Sequence, residues 1–179
     1  MHEVMEAHEA GEHNGDNRLM MPVAVTMSIL AVLVAIATLL GHRASTEELI
    51  LQTKATDQWA LFQARNIRLH EMQSVADMLG AFTPVEKEKA AELREKYLAE
   101  ATRYDKEKTA AGDEAKQLEA ERDVAGRRVD RYDAGEVVLE IALIVCSLTL
   151  LTKKQPFWLL GSALGVVGLA ITLSGFLLH

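Results

Sequence analysis

Five ionisable residues stand at the ends of long apolar runs, where a charged group is costly. His42 and Arg43 follow the first run, Glu136 and Glu140 begin the second, and His179 follows the third. Glu136 and Glu140 are one turn apart on one side of a helix. Helical rise places Glu140 roughly 10 Å inside the hydrocarbon. The sequence therefore predicts either a polar cluster that lines a proton or ion path or locks subunits, or an interfacial glutamate that pairs structurally.

Three apolar runs position these residues and predict three transmembrane helices over 20–41, 135–152 and 157–178. The first and third runs are about 22 residues long, or ~33 Å, which is enough for a ~30 Å hydrocarbon core. The linker 153–156 is too short to cross a bilayer, so the second and third runs predict a tight pair of helices. The acidic tail before the first run argues against a cleaved signal peptide.

Small residues recur along two of the predicted spans at spacings of four and three. Because lipid supplies no hydrophobic drive for helix association, close backbone approach through small residues is the usual contact. The sequence leaves open whether the partner helix is in the same chain or another. The stripes are Ala24, Ser28, Ala31 and Ala35 in the first span, and Gly161, Gly165, Gly168 and Gly175 in the third.

Residues 42–134 predict a helical insert without strands. Apolar residues with seven-residue spacing predict an antiparallel coiled coil with its turn at 80–83. A capping box at Ser45–Glu48 is expected to begin the first arm. The second arm is longer by about 24 Å, and a bend at 112–113 is one way to absorb the difference.

Composition excludes several function classes. The net charge of −7 argues against nucleic acid as a partner, and the single cysteine excludes an internal disulfide or a paired-cysteine zinc site. No nucleophile elbow, phosphate loop or metalloprotease motif is present, so we expect neither an enzyme nor a cofactor. Residues 1–19 form an acidic tail, expected to be disordered, in which His2, His8 and His13 are weak metal-ligand candidates.

The segment Lys54-Ala55-Thr56-Asp57-Gln58-Trp59 resembles a signature of an uncharacterised bacterial membrane-protein family, a domain of unknown function. The resemblance covers nearly the whole chain and implies a His/Glu-rich tail, one span, a helical hairpin and two closing spans. Leu61-Phe62 stands where that family commonly has aromatic pairs. Asp57, Gln58 and Trp59 are interaction candidates: Gln58 falls on the predicted seam, and Trp59 is either an interface anchor or a core residue.

Together these patterns predict an all-α integral membrane protein, with three transmembrane helices and a long antiparallel coiled-coil hairpin between the first two. The expected role is a non-enzymatic assembly or scaffold element, as a homo-oligomer or as a subunit of a larger membrane complex. The alternatives are an ion- or proton-conducting oligomer that uses Glu140 and a metal-handling protein that uses the histidine tail. Lys153 and Lys154 favour a cytoplasmic hairpin loop. That orientation places the coiled coil in the periplasm of a bacterial inner membrane. The four arginines of residues 122–131 favour the opposite orientation.

Overall fold

The computed structural model describes the backbone of residues 2–81 and 86–178 and the side chains of 20–81 and 86–178. Within those ranges the chain forms three helices and no strand: α1 (His2–Ala81), α2 (Lys87–Thr152) and α3 (Gln155–Phe176). Each contains a stretch long and apolar enough to cross a membrane. The described part of the chain is therefore all-helical, as predicted.

Two predictions fall partly outside the described residues. The predicted turn at 80–83 includes residues 82 and 83, which are not described, whereas Gly80 and Ala81 belong to α1. Helix α1 includes the tail backbone from His2, but no side chain before Met20 is described, so a disordered tail stays a prediction.

The chain divides into two compact units. The first contains Met1–Thr46 and Val124–His179, and the second contains Glu47–Asp123. Helices α1 and α2 contribute to both units, while α3 belongs to the first unit alone.

The core of the first unit is small and apolar. Leu30 and Ala37 of α1 are buried with Leu139, Ala142 and Cys146 of α2. Their spacing of seven residues along α1, and of three and four along α2, keeps one face of each helix turned inward. Helix α3 contributes Trp158 and Leu164 to the edge of this core.

A two-residue connection joins α2 to α3. Lys153 adopts a left-handed conformation with φ of 55°, and Lys154 is extended at the N-cap of α3. Pro156 occupies the first turn of α3, where its missing N–H removes no helical hydrogen bond. Helix α3 thus begins two residues before the predicted span at 157–178.

In the second unit, α1 and α2 contact each other in opposite chain directions. Gln52 Oε1 accepts a hydrogen bond from Arg122 Nη1 at 2.7 Å. Ten residues further along α1, Phe62 packs against Gly112, which is ten residues back along α2. This matched spacing shows that the register is kept between the two contacts. Helix α2 continues without interruption through residues 112–113, where the sequence predicts a bend.

The capping box predicted at Ser45–Glu48 is wrong, because α1 continues without interruption through these residues. Thr46 Oγ1 instead donates back to the His42 carbonyl at 2.8 Å, as threonine does inside a helix. A first arm that begins at Ser45 is too short, because α1 is already helical before this residue. This error accounts for part of the predicted difference in length between the two arms. The rest of α2 explains another part of the difference. Arg94 contacts Gly80 near the end of α1, so residues 87–93 of α2 precede the first of these contacts.

Candidate functional site

The most unusual polar contact of the first unit joins Glu136 of α2 to Thr38 of α1. Thr38 Oγ1 lies 2.6 Å from Glu136 Oε1 and also 3.0 Å from the Val34 carbonyl oxygen of its own helix. Both residues are half-buried. Their neighbours Ala37 and Leu139 belong to the apolar core, so the carboxyl group lies at the edge of that core.

Glu136 reaches α1 because it lies next to Leu139, at the edge of the face of α2 that contributes to the core. Glu140, four residues further on, is rotated by about 40° around an ideal helix. This rotation leaves the Glu140 side chain exposed. Two glutamates one turn apart therefore have different surroundings.

The structure brings only part of the predicted polar cluster together. His42 and Arg43 are both exposed, and the described residues include no hydrogen bond or ion pair that links either of them to Glu136 or Glu140. His179 lies outside the described residues. Thr38, not a residue of the predicted cluster, is the partner of Glu136.

Asp133 places a further carboxyl group on α2, one turn before Glu136. A Cβ added to Gly41 of α1 would lie 3.1 Å from Asp133 Oδ1, so the glycine lets this side chain approach α1 closely. Asp133, Glu136 and Glu140 thus follow one another along α2 at spacings of three and four residues. No ion pair neutralises these three carboxyl groups within the described part of the chain.

The two small-residue stripes differ in burial: the stripe of α3 is buried and the stripe of α1 is exposed. Gly161, Gly165, Gly168 and Gly175 of α3 are buried together with Thr172. A Cβ on Gly168 would lie 2.8 Å from Leu139 Cγ and 3.1 Å from the Leu139 backbone nitrogen. The absence of side chains on this face therefore lets the backbones of α3 and α2 approach each other.

The stripe on α1 faces away from the rest of the described chain. All four residues, Ala24, Ser28, Ala31 and Ala35, are exposed. Ala24 and Ser28 line an open apolar groove of about 470 Å³ on the surface of this helix. Helix α1 instead packs inside the first unit through Val23, Leu30 and Ala37, which are 1%, 4% and 0% exposed.

The Asp57-Gln58-Trp59 segment lies in α1 and contacts α2 within the second unit through Trp59. Trp59 Nε1 donates a hydrogen bond of 2.9 Å to Glu119 Oε1. The Trp59 ring also meets the edge of Phe62, with ring centroids 5.5 Å apart. Asp57 is exposed, and the half-buried Gln58 has an Oε1 atom with no hydrogen-bond partner among the described residues.

An ionic cluster in the second unit was missed by the sequence reasoning. Arg65 Nη1 lies 2.9 Å from Glu107 Oε2, and Arg103 Nε lies 3.4 Å from Glu107 Oε1. Both guanidinium groups also contact the ring of Tyr104. Arg65 lies seven residues after Gln58 and therefore on the same predicted seam. That position was a usable signal, because a charged seam residue needs an opposite charge on the facing helix.

Two further contacts tie α3 to the other helices of the first unit. Trp158 Nε1 donates to Thr26 Oγ1 at 3.1 Å, near the start of α3. Arg128 Nε donates to the Leu178 carbonyl at 2.8 Å, just beyond the end of α3. The helix is therefore held at both ends by side chains that belong to α1 and α2.

The metal-ligand candidates of the tail cannot be placed, because the side chains of His2, His8 and His13 lie outside the described residues. Within residues 20–81 and 86–178, no group of three histidine, cysteine, aspartate or glutamate side chains is arranged to hold a metal ion.

Comparison with known proteins identifies a family. Residues 19–178 match the family described as "Domain of unknown function (DUF4337)". No curated protein and no solved structure matches the chain. The match begins just before Met20, so it covers all residues whose side chains are described.

Proposed function

The chain belongs to the DUF4337 family. We propose that it is a non-enzymatic integral membrane protein that acts as an assembly or scaffold element. It associates through its first span, either with further copies of itself or with a larger membrane complex. We place it in the bacterial inner membrane, in contact with the lipid bilayer. The proposal depends most on one observation, the exposed small-residue stripe of α1.

That stripe is suited to contact with another helix. Inside the chain, the equivalent stripe of α3 is buried against α2, so close packing through small residues is already in use in this protein. The α1 stripe has the same spacing but no partner in the described chain, and two of its residues, Ala24 and Ser28, line a groove. A second helix in this groove would gain van der Waals contacts that disordered lipid chains make less well.

We further propose that the paired segments of the second unit form an antiparallel coiled-coil hairpin outside the membrane. The matched register at Gln52 and Phe62 supports this arrangement. Lys153 and Lys154 support a cytoplasmic loop between α2 and α3 by the positive-inside rule. The hairpin would then lie in the periplasm, where it would be available to hold or space a partner.

Disulfide crosslinking in native membranes tests the proposed association. Cys146 is first replaced by alanine so that one engineered cysteine remains. Ser28→Cys, in the groove, is expected to give discrete crosslinked species under mild oxidation. Val166→Cys is the matched control, because this residue is 69% exposed on α3 and outside the stripe. Equal crosslinking of both variants would contradict an interface on the α1 stripe, and no crosslinking of either would contradict a contact between two copies of this stripe.

The mass of the detergent-solubilised particle separates the two forms of the proposal. A whole-number multiple of the 19.7 kDa chain indicates a homo-oligomer, whereas additional polypeptides in the particle indicate an accessory subunit. A strictly monomeric particle, together with no crosslinking of Ser28→Cys in membranes, would refute both forms.

A further inference from the structure

Positive charge is concentrated in a short part of α2. Residues 122–131 contain four arginines and two aspartates, in a chain whose net charge is −7. This segment lies shortly before the apolar residues 137–152 of the same helix. Two of the four arginines are engaged. Arg122 pairs with the adjacent aspartate at 2.6 Å, and Arg128 Nε donates to a backbone carbonyl beyond the end of α3.

The other two arginines, Arg127 and Arg131, are available for an external anion. They are one turn apart on α2, and both are exposed. Within residues 20–81 and 86–178, neither guanidinium group has an ion pair or a hydrogen bond. Asp130 is exposed and pairs with neither of them. Asp133 is about 160° from Arg131 around the helix, on the side of Gly41 of α1.

The two arginines lie at the depth of lipid phosphates if α2 spans the membrane as proposed above. A ~30 Å hydrocarbon core corresponds to about 20 helical residues. Counted back from Lys153, the core ends near residue 133. The headgroup layer adds about 5–7 Å, or roughly four residues. Arg131 is therefore inside this layer, and Arg127 is at its outer edge, from which its long side chain can reach inward.

The exposed face of α2 continues from Arg127 into the membrane as an apolar surface. Ala134, Ile141 and Leu148 follow Arg127 at intervals of seven residues, which keeps them on nearly the same face of the helix. All three are exposed. A phospholipid with its phosphate at the arginines would place its acyl chains along this face. A free phosphate ion or an acidic peptide would contact the arginines and leave the apolar face unused.

We propose that Arg127 and Arg131 bind the headgroup of an anionic phospholipid whose acyl chains lie along α2. Guanidinium groups bind phosphate oxygens through paired, charge-assisted hydrogen bonds. An anionic headgroup is favoured over phosphatidylcholine, because the choline cation of the latter offsets the charge of its phosphate and is repelled by the arginines. The site rests on the proposed membrane placement and does not depend on the α1 stripe.

Lipid titration of the full-length protein in a neutral detergent tests the site. The probes are phosphatidylglycerol and phosphatidylcholine with the same acyl chains, and bound lipid is counted by native mass spectrometry. Each arginine near the membrane surface contributes about fivefold in affinity for anionic lipid. We expect the double variant Arg127→Gln/Arg131→Gln to bind phosphatidylglycerol roughly 30-fold more weakly and phosphatidylcholine as before. Equal affinity of the wild type for the two lipids, or unchanged affinity of the double variant, would overturn the proposal.

Two controls separate this site from a general effect of charge and from a phosphate site. Lys96→Gln/Lys106→Gln also removes two exposed positive charges that have no ion pair among the described residues. We expect this variant to keep the affinity of the wild type, and an equal loss in both double variants would refute a local site. Inorganic phosphate in large excess is expected to leave the lipid bound. Complete displacement would assign the arginines to free phosphate and overturn the proposal.

Flotation with phosphatidylcholine vesicles distinguishes failure of the site from failure of the membrane placement. These vesicles have no net charge, so flotation depends on the apolar spans. A chain that floats but fails the lipid titration would refute the site and leave the membrane placement intact. A chain that does not float would refute both. Circular dichroism checks that each variant keeps its helical content, as expected for substitutions of exposed side chains.

Discussion

Replacing Gly161 with alanine should force α3 away from α2. An added Cβ would meet Cys146 Sγ and would lie 3.0 Å from both the Ala142 carbonyl oxygen and the Cys146 backbone nitrogen. Favourable carbon contacts lie at about 3.5–4.0 Å, and backbone atoms cannot rotate out of the way. The two helices must therefore separate by several tenths of an ångström along this face.

Gly165→Ala is the matched control, because it makes the same change one turn along the same helix. Its Cβ would lie 2.6 Å from Leu30 Cδ2, the end of a flexible side chain that can turn aside. Both variants gain the same ~1 kcal/mol of helix propensity. Overpacking that cannot relax costs about 1–3 kcal/mol. We expect Gly161→Ala to be less stable than Gly165→Ala by that amount.

The rate at which the native cysteine is labelled measures this difference in stability between the two variants. Cys146 is the only cysteine of the chain, and it is 0% exposed beneath Gly161. Labelling by a membrane-permeable maleimide then requires α3 to open. An opening that is easier by about 1–3 kcal/mol raises the labelling rate by roughly 5- to 150-fold. We expect this increase for Gly161→Ala relative to Gly165→Ala. Equal rates for the two variants in folded protein would show that the contact of Gly161 with α2 is not tight.

Two further predictions concern the second unit and are measured by thermal unfolding of the full-length protein. Trp59→Phe removes the donor to Glu119 and is expected to lower stability by about 1 kcal/mol, whereas Glu119→Gln keeps an acceptor and should have a smaller effect. An equal loss in both variants would mean that the hydrogen bond is not the source. Gln58→Leu removes a buried oxygen that lacks a partner among the described residues, and we expect an unfolding temperature at or above that of the wild type. A clear decrease would indicate that Gln58 has a partner outside the described contacts.

Some features of the fold were predictable because they depend on the local chain alone. The length and apolar character of three segments predict helices that can span a membrane, and the two lysines with Pro156 predict the break between α2 and α3. The limits of α1 were harder to predict. Ser45–Glu48 has the residue types of a capping box, but a capping box acts only where a helix begins, and α1 is already helical there.

The sequence alone determined where small and ionisable residues recur, since helical spacing turns residue numbers into faces. It could not determine which face meets a neighbouring helix. The glycines of α3 are buried while the stripe of α1 stays exposed, and Glu136 contacts Thr38 while Glu140 does not. These outcomes follow from packing in three dimensions. A rotation of about 40° around α2 moves a side chain from contact with α1 to the surface, and only the packing of all three helices sets that rotation.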